Sequence, residues 1–254
     1  MERHTKILTV AGKGGVGKTS ICSAFVRVLA ERHPKARILA IDADPAVGLS
    51  TALGVEVKTT LDDIRRGVID SVESGASKEA MELLAEARFR IFDTMVETDK
   101  FCFLAIGRPE SEGCYCKVNA YLKEVIGMLA GDFDYVVIDG EAGIEQINRR
   151  VMDKVTHLVL VTDPSKKGTA VAETIKSVAD ELIKYERVGA VVNRANDPEL
   201  TKYININGVE ILSFIPDDRA HAVNDIQGLS VFGLPEDSPI MKGAAETPAK
   251  LGLI

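Results

Sequence analysis

Residues Ala11-Gly12-Lys13-Gly14-Gly15-Val16-Gly17-Lys18-Thr19 place a glycine-rich loop between an apolar run and a segment of helical period. No other stretch constrains the fold so tightly. The glycines let successive backbone N–H groups curl around an anion, and the positive end of the following helix adds to the attraction. Such a loop suits the phosphates of a nucleotide. Lys18 is placed to reach β and γ oxygens, and the Thr19 hydroxyl to ligate Mg²⁺, which takes oxygen donors in near-octahedral geometry. The binding stretch is therefore Gly12, Lys13, Gly14, Gly15, Val16, Gly17, Lys18, Thr19 and Ser20.

Lys13 is a second cation inside this loop, five residues before Lys18 and too close to the turn to fold back easily onto its own phosphates. A partner chain across a two-fold axis is its natural recipient. There it would offset charge on the transferring phosphoryl group, an effect of roughly 10³ to 10⁵ in rate where cations are supplied in trans. A solvated loop lysine is the plainer alternative.

Short apolar runs rich in β-branched residues recur at 6–11, 37–41, 101–106, 135–138, 157–162, 188–193 and 209–215, with helical periods at 20–31, 117–129 and 169–184. The alternation predicts a doubly wound α/β fold, a mostly parallel sheet with helices on both faces. A composition 46 % hydrophobic but only 5 % aromatic suits the Val, Ile, Leu and Ala of buried parallel strands. One domain over 1–254 is expected, with a polar, helix-prone excursion from the sheet at about 55–100. Within it, Thr59-Thr60-Leu61-Asp62-Asp63 reads as a helix start and Lys78 to Arg90 as an amphipathic helix. A surface hairpin and a partner-binding or lid element are both open readings of that excursion.

Ligands of an open parallel sheet sit at the carboxyl ends of its strands, so acidic residues there carry functional weight. Asp42-Ala43-Asp44-Pro45 follows one run and Asp139-Gly140-Glu141-Ala142-Gly143 another. Asp42 and Asp139 are candidate Mg²⁺ partners beside Thr19, Asp44 a candidate to position the attacking water, and the Gly143 N–H a sensor of the γ-phosphate. Helix capping is the alternative task for such carboxylates. Asn193 and Arg194 end a later run and Pro216 the next; an Asn amide matches the donor–acceptor edge of adenine, which favours ATP as the nucleotide. The catalytic set is Lys13, Lys18 and Asp44.

Cys114 and Cys116 flank Tyr115, so an extended chain would point both thiolates the same way and offer half a tetrahedral site to one soft or borderline metal ion. A symmetric dimer would supply four sulfurs and tie metal binding to association. Cys22 and Cys102 read as small core residues, and His4, His33, His157 and His221 are scattered away from the cysteines. A net charge of −7 with no basic stripe disfavours nucleic acid as a partner. The polar start and the lack of a long apolar run lead to the expectation of a cytoplasmic protein with no membrane partner, a reducing compartment in which the four cysteines read as thiols or metal ligands.

The glycine loop with Lys13, the Asp42-Ala43-Asp44-Pro45 segment and the Asp139-Gly140-Glu141-Ala142-Gly143 segment together resemble the deviant Walker A ATPases of the MinD, ParA and nitrogenase iron protein superfamily. Within it, Gly113-Cys114-Tyr115-Cys116 and Asp139 to Glu145 look most like the CooC-type nickel-insertion ATPases. That resemblance implies an ATP-dependent homodimer in which Cys114 and Cys116 of both chains hold Ni²⁺ or Zn²⁺, with carbon monoxide dehydrogenase as the client. An iron–sulfur protein like the nitrogenase iron protein, or a MinD- or ParA-like positioning ATPase, are the alternatives. The segment Met241 to Pro248 lacks the cationic amphipathic pattern that a membrane-positioning ATPase would need.

Overall fold

The structure, a computed structural model, describes residues 5–44, 48–73, 86, 89–107, 116–140, 151 and 154–254. The loop glycines join strand β1 (Lys6–Gly12) to helix α1 (Lys18–Arg32), as their spacing predicts. Strand β2 (Ile38–Asp42) and helices α2 (Gly48–Leu53) and α3 (Leu61–Glu73) come next, then β3 (Val96–Glu97), β4 (Cys102–Ala105), α4 (Cys116–Ala130) and β5 (Tyr135–Asp139). The second half runs β6 (His157–Thr162), α5 (Lys166–Leu182), β7 (Arg187–Asn193), α6 (Pro198–Thr201), β8 (Ile211–Ile215), α7 (Arg219–Ile226), a 3₁₀ turn (Val231–Gly233) and α8 (Pro239–Leu251).

Among the described residues the strands form one eight-stranded sheet in the order β3-β4-β2-β5-β1-β6-β7-β8. Every pairing is parallel except β3 with β4, a two-residue antiparallel edge that the sequence reading did not include. Alternate side chains along each strand serve opposite cores. Leu8, Val10, Ala40, Val137 and Val159 pack with α1 and α8, whereas Leu39, Ile41, Val136, Ile138 and Leu160 pack with α4 and α5. Burial on both faces explains why these strands read as continuous apolar runs.

Helix α1 is buried along most of its length because α2, α8 and the 3₁₀ turn enclose the side away from the sheet. Its one buried guanidinium is satisfied: Arg27 Nη1 donates to the Val231 and Leu234 carbonyls at 2.8 and 2.7 Å, and Nε to Glu31 at 2.7 Å. On the opposite face α3 starts where expected. Thr60 caps it, with its N–H and hydroxyl both donating to Asp63 Oδ2 at 2.7 and 2.8 Å, a reciprocal box built with Asp in the third helical position. Most of 78–90 lies outside the described residues; 89–94 is helical.

Candidate nucleotide site

The loop glycines divide by task. A Cβ on Gly12 would stand 2.2 Å from the Val161 carbonyl oxygen, because β1 and β6 run side by side there. One on Gly17, whose φ is 93°, would stand 2.5 Å from Asn193 Nδ2. These two glycines let the loop seat against its own protein. At Gly14 and Gly15 a Cβ would meet nothing within 4 Å, so these two present bare backbone on the loop's open side. Helix α1 opens on Gly17 with no side-chain cap and no acidic residue in its first turn, leaving its leading N–H groups for an anion. Lys18 is 8 % exposed and its ammonium donates to the Lys13 carbonyl at 3.3 Å.

Asn193 occupies a position that the sequence reading assigned to the nucleobase, and its amide already carries structure. Nδ2 donates to the Val16 carbonyl at 2.8 Å, and Oδ1 accepts from the Arg194 N–H at 3.0 Å. It holds the phosphate loop to the end of β7. Arg194 has φ 60° and is exposed, as is Pro216 after β8. Asn196 and Asp217 join the two loops reciprocally, each bond 2.7 Å.

Asp42 and Asp139 end β2 and β5 as paired residues of the sheet, and Asp139 also pairs with Val10 of β1. Both are buried, at 0 % and 1 % exposure. Asp42 accepts from the Asp44 and Leu49 N–H groups at 3.1 and 2.9 Å. Burial nevertheless pushes its carboxyl up to about 6 against those bonds, with Asp44 adding repulsion. Asp139 is driven further, up to about 7, by burial and by Asp42, while Thr19 and Lys18 pull the other way. Thr19 is a neighbour without closing a full hydrogen bond, for neither Asp139 oxygen has a partner. Two buried carboxylates, one with both oxygens unsatisfied, beside a hydroxyl at the head of a phosphate loop make a donor set that fits Mg²⁺.

Asp163, which sequence reasoning missed, follows β6 on the other side of β1. Its Oδ1 accepts from the Ser165 hydroxyl and, at 2.9 Å, the Ser165 N–H. The Ser165 hydroxyl bond does most to hold it below the usual carboxylate range, with Lys13 and Arg194 contributing charge. The signal was available: Asp163-Pro164 after a strand repeats the Asp44-Pro45 pattern. Lys13 is half-buried. Gly143 and Cys114 lie outside the described residues, and of Cys116 only its place as first residue of α4 is described. Among the described residues no three His, Cys, Asp or Glu converge on a metal site. Cys22 is fully buried and Cys102 partly so, the latter on β4, as small apolar residues would be. No described helix is long and apolar enough to cross a membrane. The segment 241–248 lies within α8, where Met241, Gly243, Ala244, Thr247 and Pro248 are buried against the protein itself.

Residues 7–231 match the model of the CobQ/CobB/MinD/ParA nucleotide binding domain. An uncharacterised ATP-binding protein of Methanocaldococcus jannaschii is 37 % identical over 250 residues, covering 96 % of this chain and 98 % of that protein. The carbon monoxide dehydrogenase accessory protein CooC of Rhodospirillum rubrum is 27 % identical over 238 residues, with 89 % of each chain covered. The septum site-determining protein MinD of Pyrococcus horikoshii, solved with Mg-ADP, superposes with a TM-score of 0.69 at 21 % identity, covering 98 % of this chain and 96 % of that one.

Proposed function

The chain belongs to the CobQ/CobB/MinD/ParA nucleotide-binding family and is an ATPase, and on that premise we propose that it is a metallochaperone. It binds Ni²⁺ or Zn²⁺ as cargo through Cys114 and Cys116, dimerises with ATP and metal, and supports nickel insertion into carbon monoxide dehydrogenase. The observation that carries this reading is the position of the cysteine pair. In sequence it follows β4, with Cys116 opening α4, in a chain 27 % identical to CooC across 89 % of both lengths.

In this reading the loop amides and Lys18 hold the β- and γ-phosphates, and Asn193 keeps the loop seated while Arg194 and Pro216 border the adenine. Asp44 orients the attacking water, the Gly143 N–H senses the γ-phosphate, and Lys13 of the opposing subunit offsets charge developing in the transition state. Thr19, with Asp42 and Asp139 beside it, would hold Mg²⁺, which would supply charge neutralisation of the phosphates. ATP and metal both favour the closed dimer, so each tightens the other.

The test is equilibrium titration with Ni²⁺ and with Zn²⁺, with and without ATP, alongside the molecular mass in solution. The wild type is expected to bind one metal per dimer and to double its mass with ATP and metal, and Cys114→Ala to lose the metal. Unchanged metal stoichiometry and affinity in Cys114→Ala would refute the thiolate site. A brown, visibly absorbing protein after anaerobic purification would transfer the cysteines to an iron–sulfur cluster instead.

A further inference from the structure

We infer that Ile106, Gly107 and Thr60 form a rigid junction that carries the nucleotide state of Asp42 to α3 and to the segment bearing the cysteines. The metal half of this inference rests on the function proposed above; the nucleotide half does not.

The Asp42 side chain accepts from the Asp44 and Leu49 N–H groups on the side of Asp139 and the phosphate loop, whereas its main chain faces β4. Its carbonyl accepts the Ile106 N–H at 2.9 Å, and the Ile106 carbonyl in turn accepts the Asp62 N–H at 2.9 Å. Asp62 lies in the first turn of α3, so two backbone hydrogen bonds connect the end of β2, the end of β4 and the head of a thirteen-residue helix. No side-chain rotamer intervenes to absorb a displacement.

Gly107 sits at the corner of this linkage and is buried. Its φ is 85°, a left-handed conformation open to glycine and costly to most other residues. A Cβ there would lie 2.5 Å from Thr60 Oγ1, 2.8 Å from Thr60 Cβ and 3.2 Å from Asp62 Cβ. Thr60 cannot easily move aside, because its N–H and hydroxyl are both bonded to Asp63. Asp62 is fixed as well, buried at 6 % exposure and bonded to Arg65 Nε at 2.6 Å. The chain leaving Gly107 leads within nine residues to Cys116, the first residue of α4. A packed corner without slack transmits small shifts rather than damping them.

Two measurements decide the inference. In the first, hydrogen exchange is followed in the wild type and in Gly107→Ala, with and without a non-hydrolysable ATP analogue and Mg²⁺, and with no other metal. Amides in 59–64 are expected to slow about fivefold or more on nucleotide binding in the wild type and to lose that response in the variant. No response of 59–64 in the wild type, or an equal response in Gly107→Ala, overturns the junction. In the second, Ni²⁺ affinity is measured with and without the analogue. The variant is expected to bind Ni²⁺ alone within about twofold of wild type, and ATP analogue alone likewise, yet to lose about tenfold or more of the tightening that each confers on the other. Retained tightening in Gly107→Ala overturns transmission to the cysteines. A wild type that binds no Ni²⁺ removes the metal reading and this second transmission with it, while the exchange measurement still decides the first. Should Gly107→Ala fail to fold, Thr60→Gly replaces it, since glycine is tolerated at a helix N-cap yet removes the wall against which Gly107 packs.

Discussion

Asp139 shows how a single residue can be set against the stability of its own fold. An unpaired, desolvated carboxylate costs several times what a neutral amide of the same shape costs. Its folded-state affinity for a proton is raised to about 7 by burial, so above neutral pH the ionised form weighs against folding whenever no cation compensates it. Asp139→Asn should therefore raise the melting temperature of the nucleotide-free protein by a few degrees at about pH 8, with a gain of about 1–2 kcal/mol corresponding to roughly 2–8 °C in a chain of this size. The same substitution should abolish most of the thermal shift that Mg²⁺ and ATP give the wild type. That shift amounts to about 2.7 kcal/mol at a hundredfold excess of ligand over its dissociation constant. Differential scanning fluorimetry of both proteins, with and without Mg-ATP, reads the two opposed signs together. A variant that melts lower than wild type without ligand would show that the carboxylate has a compensating partner.

Among the elements, α8 was the least legible. Gly243 and Pro248 both argue against a helix by propensity, yet Pro239–Leu251 is a continuous helix that holds them. Gly243 is there because α8 lies directly on β8: a Cβ would stand 2.4 and 2.5 Å from Ile215 Cγ1 and Cδ1. Helix propensity alone favours Gly243→Ala by about 1 kcal/mol, whereas forcing a methyl into a packed contact costs about 1–3 kcal/mol. The contact should win, with a net loss of roughly 1 kcal/mol measured by urea unfolding and partial rescue in Gly243→Ala/Ile215→Val, which removes Cδ1. By contrast β1, the phosphate loop, α1 and the other core strands were legible because local rules fix them: glycines before a helix, β-branched runs, and carboxylates just after strands. Strand β3 escaped because two residues carry no period, although Thr98 and Phe101, which close its turn, were a usable cue. The Asn193 bond to Val16 spans 177 residues of sequence, and no pattern within either segment announces it.

At the scale of the whole molecule, the two ends of the sheet carry different burdens. The carboxyl edge bears the charged nucleotide site, and the opposite edge ties the chain's last residues to the central strands. His33 Nε2 and the Tyr135 hydroxyl meet the Leu253 carbonyl at 2.9 and 3.1 Å, Arg187 Nη1 donates to the Leu251 carbonyl at 2.6 Å, and the His33 and Tyr135 rings stack. His157 begins β6 at that edge, 3 % exposed, with Nδ1 2.7 Å from Thr156 Oγ1. Burial holds its imidazole below the usual histidine range, and neighbouring Lys6 and Arg187 act in the same direction, against a bond to the Leu251 backbone. The folded protein thus keeps this ring neutral at a pH where the unfolded chain, titrating near 6.5, already binds a proton. Its contribution to stability is complete above about pH 6.5 and is lost as pH falls through that value towards the lower folded-state pKa. Urea unfolding of the wild type at intervals between about pH 7.5 and 5 should show this loss, and His157→Gln, which cannot titrate, should flatten that part of the curve while lowering stability at neutral pH. Because His157 stands at the start of β6 and the phosphate loop lies beyond the end of β1, the pH profile of ATP hydrolysis should keep its shape in His157→Gln. A hydrolysis profile that moved with the stability curve would mean that the two edges are coupled through the sheet rather than independent.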